Sequence, residues 1–301
     1  MAVRIKKNKM KKSLGVCLII IVTAFFITSC GRFANKESET TKNGKDRIVC
    51  VSKQLTELMF AVGAGDKLVG VDLSSTYPPE AQKLVTVGYH RMLSAEGIIS
   101  LNPTLVIHNG GIAPESVPQQ LVKVGIPMKE YMNTPNIDSA KVLIMQIAKE
   151  YNNEAKGIEL CKKLDADMNT AREKVKQFTD RPKVLIIHYG RQMNNYFVMG
   201  NRGTANDMLA WAGGVNAADT SGFRNLSAEV IVRSQPDVIL ATDFGFDRTG
   251  GMEHFVELPG INLTPAYKNK KIYRIEEHDL VYLGPRTGEN VLKIMELIHK
   301  Q

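Results

Sequence analysis

The segment RMLSAEGIISLNPTLVI at residues 91–107 recurs as RNLSAEVIVRSQPDVIL at residues 224–240. Seven of the first thirteen positions are identical in the two copies. In each copy a Ser-Ala-Glu start precedes a short helix-like apolar run, and an aliphatic strand-like run follows the proline. The duplication therefore predicts two lobes that share one helix–strand unit. Only the first copy has a tyrosine, Tyr89, two residues before its arginine.

Short apolar runs alternate with helical patterns along residues 47–301, which is typical of an α/β fold with mostly parallel sheets. The predicted strands are Ile48–Val51, Leu68–Asp72, Leu105–His108 and Pro127–Tyr131 in the first half, and Val184–His188, Val238–Ala241 and Ile272–Ile275 in the second. The predicted helices of the two halves are Leu55–Val62, Val117–Val124, Thr204–Ala212 and Glu289–His299.

The longest helical pattern lies between the two halves. Its apolar and small side chains recur at spacings of three and four, at Ile158, Cys161, Leu164, Met168, Ala171, Val175 and Phe178. A helix of this extent spans roughly 30 Å. It predicts a rigid connector at residues 151–180 between an N-terminal lobe, 47–150, and a C-terminal lobe, 181–301. A connector of this kind permits only small changes in lobe angle, and the expected ligand site is the cleft between the lobes.

Residues 1–29 have the pattern of a lipoprotein signal peptide. Basic residues precede the apolar run Leu14–Ile27, which is shorter than the roughly 20 residues of a membrane span. The run ends in Ile27-Thr28-Ser29-Cys30, which resembles a bacterial lipobox and implies cleavage before Cys30 and lipidation of its sulfur. Residues 30–46 are polar and predict a flexible tether. We therefore expect a lipid-anchored protein of the cell envelope, outside the cytoplasm.

Removal of the signal peptide changes the charge balance. The whole sequence has a net charge of +8, and subtracting the six basic residues of the leader leaves +2 for residues 30–301. This value gives no support to a nucleic-acid partner, which requires a basic face. Beyond Cys30 only Cys50 and Cys161 remain, too few for a disulfide framework. A single bridge and two free thiols both stay open.

The sequence has no signature of the common enzyme classes. It contains no Gly-x-x-x-x-Gly-Lys-Ser/Thr loop, no Gly-x-Ser-x-Gly elbow and no His-Glu-x-x-His motif. Gly63, Gly65 and Gly70 do not have dinucleotide-binding spacing and suit helix ends and turns. We therefore predict a binding protein rather than an enzyme.

Five motifs together resemble those of a known family. They are VGYHRMLSAEG at 87–97, GNRGTA at 200–205, AGGVNA at 212–217, LPG at 258–260 and GPRT at 284–287. They are similar to the substrate-binding lipoproteins of ABC importers for cobalamin, ferric siderophores and haem, and most similar to the haem-binding branch. The resemblance implies a class III periplasmic binding protein-like fold, with two α/β lobes joined by a single backbone helix. It also implies ferric haem as the transported ligand and an ABC permease dimer with its ATPase subunits as the partner.

Tyr89 is the predicted haem iron ligand. Ferric iron accepts an anionic phenolate as an axial ligand, and both coordination and a nearby cation favour the phenolate over the neutral phenol. Arg91 lies two residues further on, on the same face of an extended segment, and is predicted to support the phenolate. The resemblance assigns these same roles to Tyr89 and Arg91. Arg286, in the GPRT motif, is the second predicted cation, because a guanidinium binds a carboxylate such as a haem propionate in bidentate fashion.

The opposite face of the haem has weaker candidates. His188 ends a predicted strand that faces the cleft, and His278 lies in the loop that leads to Arg286. Tyr282 is a further candidate for the pocket wall, in a Val-Tyr-Leu run where the family often has another glycine and an aromatic residue. The default expectation is five-coordinate iron with Tyr89 alone.

Glu96 and Glu229 occupy matching positions in the two copies of the repeat. Helix capping alone would explain an acidic residue at both places. The resemblance implies that each glutamate also docks onto arginines of the permease dimer, one per lobe. Three alternatives stay open: the same fold with a ferric siderophore, cobalamin or a bare metal ion as ligand, a non-transport interaction lipoprotein, and an enzyme.

Overall fold

The computed structural model describes residues 46–190 and 194–300, and the chain from Asp46 onward forms one compact unit. The predicted signal peptide, Cys30 and the tether as far as residue 45 lie outside the described residues. In the described part of the chain, no helix is long and apolar enough to cross a membrane.

Seven strands belong to the first half: β1 Ile48–Cys50, β2 Leu68–Val71, β3 Val85–Thr86, β4 Gly88–Tyr89, β5 Met92–Leu93, β6 Leu105–His108 and β7 Met128–Glu130. Five of them form a parallel sheet in the order β3-β2-β1-β6-β7, and β4 pairs with β5 in a separate hairpin. The central strand β1 is buried along its whole length. This burial explains why its sequence is continuously apolar instead of alternating.

The second half adds β8 Lys183–Gly190, β9 Asn195–Val198, β10 Val215–Asn216, β11 Arg224–Asn225, β12 Val238–Thr242 and β13 Ile272–Ile275. Their sheet has the order β11-β9-β8-β12-β13, and β10 also pairs with β8. Strands β8, β10, β12 and β13 are parallel, whereas β9 is antiparallel to both β8 and β11. The predicted α/β class with mostly parallel sheets is confirmed.

The helices of the described residues are α1 Lys53–Ala61, α2 Ala95–Ile99, α3 Ser116–Lys123, α4 Ile137–Glu150, α5 Glu154–Val175, α6 Thr204–Trp211, α7 Ala228–Ser234, α8 Asp243–Arg248, α9 Met252–Phe255, α10 Pro265–Lys268 and α11 Thr287–Ile298. Side chains of Ser94 and Ser227 cap α2 and α7, the helices of the two repeat copies, by accepting hydrogen bonds from Gly97 and Val230. The repeated Ser-Ala-Glu segment is therefore a helix start in both halves.

The connecting helix α5 has 22 residues and packs between α4 and α11. At about 1.5 Å per residue it is roughly 33 Å long. It buries Leu164, Met168 and Ala171 of the predicted stripe, but Ile158 is half exposed. A Cβ atom at Gly157 would lie 2.6 Å from the Cβ of Ala148 in α4, so this glycine allows the two helices to approach closely.

One apolar core extends through both halves of the molecule. The same cluster of buried side chains contains Ile48 of β1, Ile144 of α4, Leu164 of α5 and Val184 of β8. Two smaller clusters cover the other faces of the two sheets. The lobe boundaries at residues 150 and 181 stay a prediction, because the core that joins the halves does not divide at either one. Cys50 is buried, Cys161 is half-buried, and both are free thiols.

Candidate ligand-binding cleft

The ends of strands from both sheets meet at a crevice that holds two adjoining cavities. Residues that directly follow β1 and β6 line one cavity, and the end of β8 lines the other. The carboxyl ends of parallel strands are where open α/β sheets place their ligands. The crevice between the halves is thus the candidate site, as predicted.

The first cavity, which we call the aromatic cavity, has a volume of about 340 Å³. Its aromatic wall consists of Tyr89 from the first half, together with His188, Tyr189, Phe197 and Phe223 from the second. The ring of Phe223 lies 5.8 Å from that of His188 and is 64% exposed. An exposed aromatic side chain at the mouth of a cavity suits a flat apolar ligand.

Tyr89 reaches the aromatic cavity from the β4–β5 hairpin, in which His90 and Arg91 form the turn. The backbone enters the hairpin at Gly88 with a φ of 103°, in the region that favours glycine. Tyr89 is half-buried, and its ring centroid lies 4.3 Å from that of His90. The structure places the tyrosine in the crevice, where the prediction needs it. Its role as an iron ligand stays a prediction.

From the second half, His188 is near the end of β8, and its Nδ1 lies 3.3 Å from the Thr242 hydroxyl of β12. Beside it, the Tyr189 hydroxyl donates a hydrogen bond to Asn194, and the Arg248 guanidinium lies 5.0 Å from the Tyr189 ring centre. Of the three candidates for the second face, His188 and His278 line the aromatic cavity, and Tyr282 lines the adjoining cavity.

The second cavity, which we call the polar cavity, has a volume of about 430 Å³. Neutral polar side chains dominate its wall, among them Gln54, Asn109, Asn133 and Thr134. The two cavities share the lining residues Lys53, Ser74, His90, Arg91 and Val281. Basic and imidazole side chains are therefore concentrated where the cavities meet.

Arg91 and its repeat counterpart Arg224 have different surroundings. The Arg224 guanidinium lies 3.2 Å from a carboxylate oxygen of Asp219. Arg91 is exposed, lines both cavities and makes no hydrogen bond or ion pair with the rest of the described chain. Arg224 is therefore a structural residue of the second half, whereas Arg91 is a cation that lines the crevice.

His90 is oriented by the buried carboxylate of Asp72. Its Nδ1 lies 3.4 Å from Asp72 Oδ2, and Ser74 and Ser75 donate hydrogen bonds to the same carboxylate. Burial tends to raise the pKa of Asp72, but the hydrogen bonds from His90 and the two serines outweigh it and hold the pKa below its usual value. The ionised Asp72 carboxylate therefore fixes the orientation of the His90 ring.

Glu57 of α1 joins the two halves behind the cleft. Its carboxylate is buried and accepts hydrogen bonds from Arg286 at 3.0 Å and Tyr282 at 2.8 Å, and it lies 2.5 Å from His278 Nε2. Burial tends to raise the pKa of Glu57, yet its hydrogen bond with His278 and the charge of Arg286 hold the pKa below the usual value. Glu57 is thus an ionised hub shared by three side chains of the other half, and we call this group the Glu57 cluster.

The position of Arg286 corrects our prediction that it contacts a propionate. Its guanidinium binds both Glu57 and Asp279, stacks 3.6 Å from the Tyr77 ring centre, and lines a cavity behind the joint instead of the aromatic or polar cavity. A guanidinium paired with two buried carboxylates is already neutralised.

The same cluster corrects the prediction for His278 and Tyr282. Both contribute to cavity walls, but the hydroxyl of Tyr282 and Nε2 of His278 are bound to Glu57. The other ring nitrogen of His278, Nδ1, is buried without a hydrogen-bond partner in the described chain. Burial, with Glu57 beside it, raises the pKa of Tyr282 well above its usual value and keeps the phenol neutral. These two side chains therefore hold the joint, and the Tyr282 hydroxyl and His278 Nε2 are already bound to Glu57.

Glu96 and Glu229 lie at the second helical position of α2 and α7, and both are exposed. Glu229 has only a distant partner, Arg233, at 3.9 Å. Exposed acidic side chains at matching places in the two halves agree with a docking role, which stays a prediction.

Sequence reasoning missed the residues whose importance depends on distant partners. Lys53 lies 2.9 Å from Glu277, and Glu57 lies beside Arg286, across more than two hundred positions in each case. In the sequence, Lys53 and Glu57 look like ordinary exposed residues of an amphipathic helix. The spacing of Lys53 and Glu57, four residues apart on one face of α1, is the only local signal that both point the same way.

Comparison with known proteins agrees with this architecture. The sequence matches the family described as periplasmic binding protein over residues 48–278. The structure is similar to the periplasmic heme-binding protein RhuT from Roseiflexus sp. RS-1, with a TM-score of 0.77, 36% sequence identity, and coverage of 85% of this chain and 98% of that one.

Two curated relatives also align. An uncharacterized ABC transporter substrate-binding lipoprotein, YvrC of Bacillus subtilis, is 28% identical over 96% of this chain and 98% of its own length. A vitamin B12-binding protein of Vibrio parahaemolyticus is 25% identical over 83% of this chain and 88% of its own. The matched family consists of binding proteins, which confirms the prediction that this chain is not an enzyme. The α/β architecture with mostly parallel sheets, the crevice at the strand ends and the match over residues 48–278 lead to one conclusion: this chain belongs to the periplasmic binding protein family.

Proposed function

We propose that the chain is the ligand-binding subunit of an ABC importer and that it captures ferric haem in the crevice between its halves. The observation that carries the proposal is the position of Tyr89 on the wall of the aromatic cavity, which His188, Phe197 and Phe223 of the other half also line. A phenolate is a recognised ligand of ferric haem, and aromatic side chains suit the faces of a porphyrin. Similarity to the heme-binding protein RhuT supports the same ligand.

Arg91 assists Tyr89 in this proposal. It lies two residues from the tyrosine, at the turn of the same hairpin, and makes no ion pair with another described residue. A guanidinium beside the phenol favours the phenolate over the neutral form. Iron is five-coordinate with Tyr89 as its protein ligand, and His188 is the candidate for the second face.

The proposed setting is the outer side of a membrane. Lipidation at Cys30 anchors the protein there, and the lipoprotein YvrC, similar along nearly its whole length, supports this placement. The partner is a permease dimer with its ATPase subunits. Glu96 and Glu229, one exposed carboxylate in each half, are the contacts that we assign to the two permease subunits.

Titration with hemin tests the ligand. Residues 46–301 form one compact unit and are the part to purify. We expect the wild-type protein to shift the Soret band and to show the charge-transfer absorption of a phenolate ligand. Tyr89→Phe keeps the ring and removes the ligand atom, so the charge-transfer absorption should disappear. Tyr267→Phe is the matched control, because Tyr267 is partly exposed on α10 and lines neither cavity.

The vitamin B12-binding relatives define the competing outcome. If the protein binds cyanocobalamin and its spectrum with hemin does not change, the ligand is a corrinoid and not haem. Binding of a ferric siderophore alone, with Tyr89→Phe unchanged, would refute the assignment of Tyr89. A wild-type hemin complex whose spectrum is identical to that of Tyr89→Phe would also refute it.

A further inference from the structure

The turn that follows β6 brings a histidine side chain against a backbone amide. His108 ends β6, and the chain continues as Asn109-Gly110-Gly111 without regular secondary structure. The N–H group of Gly110 donates a hydrogen bond to Nδ1 of His108 at 3.1 Å. Burial lowers the pKa of His108, although Glu130 of β7 opposes the shift. The imidazole is therefore neutral at neutral pH, and Nδ1 has a lone pair that can take a proton.

The side-chain amide of Asn109 lies within the same turn and is open to solvent. Asn109 and Gly110 are half-buried and line the polar cavity, so water reaches them. Oδ1 of Asn109 accepts no hydrogen bond within the described chain, and Nδ2 donates one to Gln54. Gly110 has a φ of 87° and Gly111 a φ of 68°. Glycine has no Cβ and adopts many backbone conformations, so the Gly110 nitrogen can approach the side chain of the residue before it.

We propose that Asn109 is a self-modification site, where His108 acts as the general base for deamidation of the asparagine. The 3.1 Å contact lies within the distance at which a base can remove a proton, and the proton is the one on the attacking nitrogen. The inference goes beyond the proposed function and does not depend on which ligand the crevice binds.

The reaction has two steps. In the first, the Gly110 nitrogen forms a bond to Cγ of Asn109 while its proton passes to Nδ1 of His108. The bond between Cγ and Nδ2 breaks, and the leaving nitrogen takes the proton from His108 and departs as ammonia. In the second, water opens the cyclic imide at either carbonyl, and the Gly110 nitrogen regains a proton. The products are aspartate and isoaspartate; one water is consumed, one ammonia is released, and nothing is oxidised or reduced.

Conversion of Asn109 would break a chain of hydrogen bonds that joins the halves. Nδ2 of Asn109 donates to Gln54 Oε1 at 2.9 Å, and Gln54 Nε2 donates to the backbone carbonyl of Leu283, in the second half, at 2.6 Å. A carboxylate at residue 109 has no proton to donate to Gln54. Isoaspartate also lengthens the main chain by one carbon atom. The modification therefore changes the contact between the halves irreversibly.

Peptide mapping by mass spectrometry tests the reaction in the protein without its leader, incubated at neutral pH. We expect aspartate and isoaspartate to accumulate at residue 109. His108→Gln keeps a hydrogen-bond acceptor and removes the base. It should slow the conversion by about tenfold or more, since a positioned general base contributes roughly 10²–10⁴-fold. His254→Gln is the matched control, because His254 is exposed on α9, and it should leave the rate unchanged.

The sequence provides an internal reference, because its other Asn-Gly pair is Asn43-Gly44, outside the described residues. Both asparagines are measured in one digest. In urea, where the turn is unfolded, wild type and His108→Gln should convert Asn109 at similar rates. Equal rates in the folded proteins would overturn the role of His108. An Asn109 that stays intact while Asn43 converts would overturn the site itself, without any need for a variant.

The effect on the joint has its own measurement. Asn109→Asp supplies one product directly and should lower the melting temperature by roughly 2–4 °C, the effect of losing one hydrogen bond in a unit of this size. An unchanged melting temperature would show that the modification leaves the contact between the halves intact, and would overturn that consequence.

Discussion

Replacing Glu57 by glutamine removes the negative charge that Arg286, His278 and Tyr282 share. The carboxylate side chain is only 4% exposed and receives two contacts from Arg286, at 3.0 and 3.3 Å. Glutamine has the same shape but carries no charge, and its amide presents two donors to partners that are themselves donors. The substitution therefore leaves a guanidinium that is 17% exposed and forms an ion pair with Asp279 alone.

Removing one partner of a buried ion pair costs about 3–5 kcal/mol. The remaining pairing of Arg286 with Asp279 places the expected loss for Glu57→Gln near the lower end, about 3 kcal/mol. For a folded unit of this size, such a loss lowers the melting temperature by roughly 6–12 °C. Urea denaturation of wild type and variant at pH 7, followed by circular dichroism, measures the difference in the free energy of unfolding.

The same substitution has a predicted pH dependence. The folded-state pKa of Glu57 is below its usual value of 4.5, so its charge stabilises the fold above that value. This contribution is lost as the pH falls toward the lower folded-state pKa. The stability difference between wild type and Glu57→Gln should therefore be largest near neutral pH and shrink below about pH 4.

Glu229→Gln is the matched control, because its side chain is 79% exposed and its nearest cation is 3.9 Å away. Surface changes of this kind alter stability by less than about 0.5 kcal/mol. A loss below about 1 kcal/mol for Glu57→Gln at pH 7 would contradict the view that the joint depends on a shared buried anion. A difference that did not change between pH 7 and pH 3 would contradict the assigned ionisation.

Two further predictions concern packing and docking. Gly157→Val places side-chain atoms against Ala148, since even a Cβ at residue 157 would lie 2.6 Å from the Cβ of Ala148. We expect the free energy of unfolding, measured by urea denaturation, to fall by about 1–3 kcal/mol. Unchanged stability would show that α4 and α5 separate without cost. Glu96→Lys combined with Glu229→Lys should lower hemin-dependent growth or uptake in cells while hemin affinity of the purified protein is unchanged. Uptake equal to wild type would remove the docking role of both residues.

The sequence predicted the elements whose signal is local. The strand Leu105–His108 has the bounds that its apolar run indicated, and the connecting helix begins at Glu154, close to the predicted stripe. Buried central strands are continuously apolar, and a helix of 22 residues repeats its apolar spacing several times, so both patterns stand out from a single sequence.

Helix α4 and the strand β9 were missed for opposite reasons. Ile137–Glu150 begins with a capping box at Asn136 and Ser139, and its buried residues Ala140, Leu143, Ile144, Ile147 and Ala148 recur at helical spacing, so its local signal was present and was overlooked. Asn195–Val198 is a short antiparallel strand, and its place in the sheet depends on pairing with β8. Four residues carry too little pattern to reveal a strand that tertiary pairing stabilises.

The sequence predicted those site residues that lie close together within one short segment. Tyr89 and Arg91 belong to one hairpin, so their proximity follows from the chain itself. The contact of Arg286 with Glu57 does not: Glu57 lies 229 positions away, and a single sequence cannot show that the two side chains form an ion pair. A motif arginine was therefore assigned to a ligand when the fold had paired it with a carboxylate.

The shared core and the Glu57 cluster have a consequence for delivery of the cargo. Because both halves share one apolar core and the buried Glu57 cluster, we expect the gap between them to change little when a ligand binds. Ligand binding then requires little closing motion of the halves, which favours rapid binding. Ligand release cannot rely on spontaneous opening of the crevice. In the proposed importer, the work that separates the halves would come from the permease dimer and its ATPase subunits.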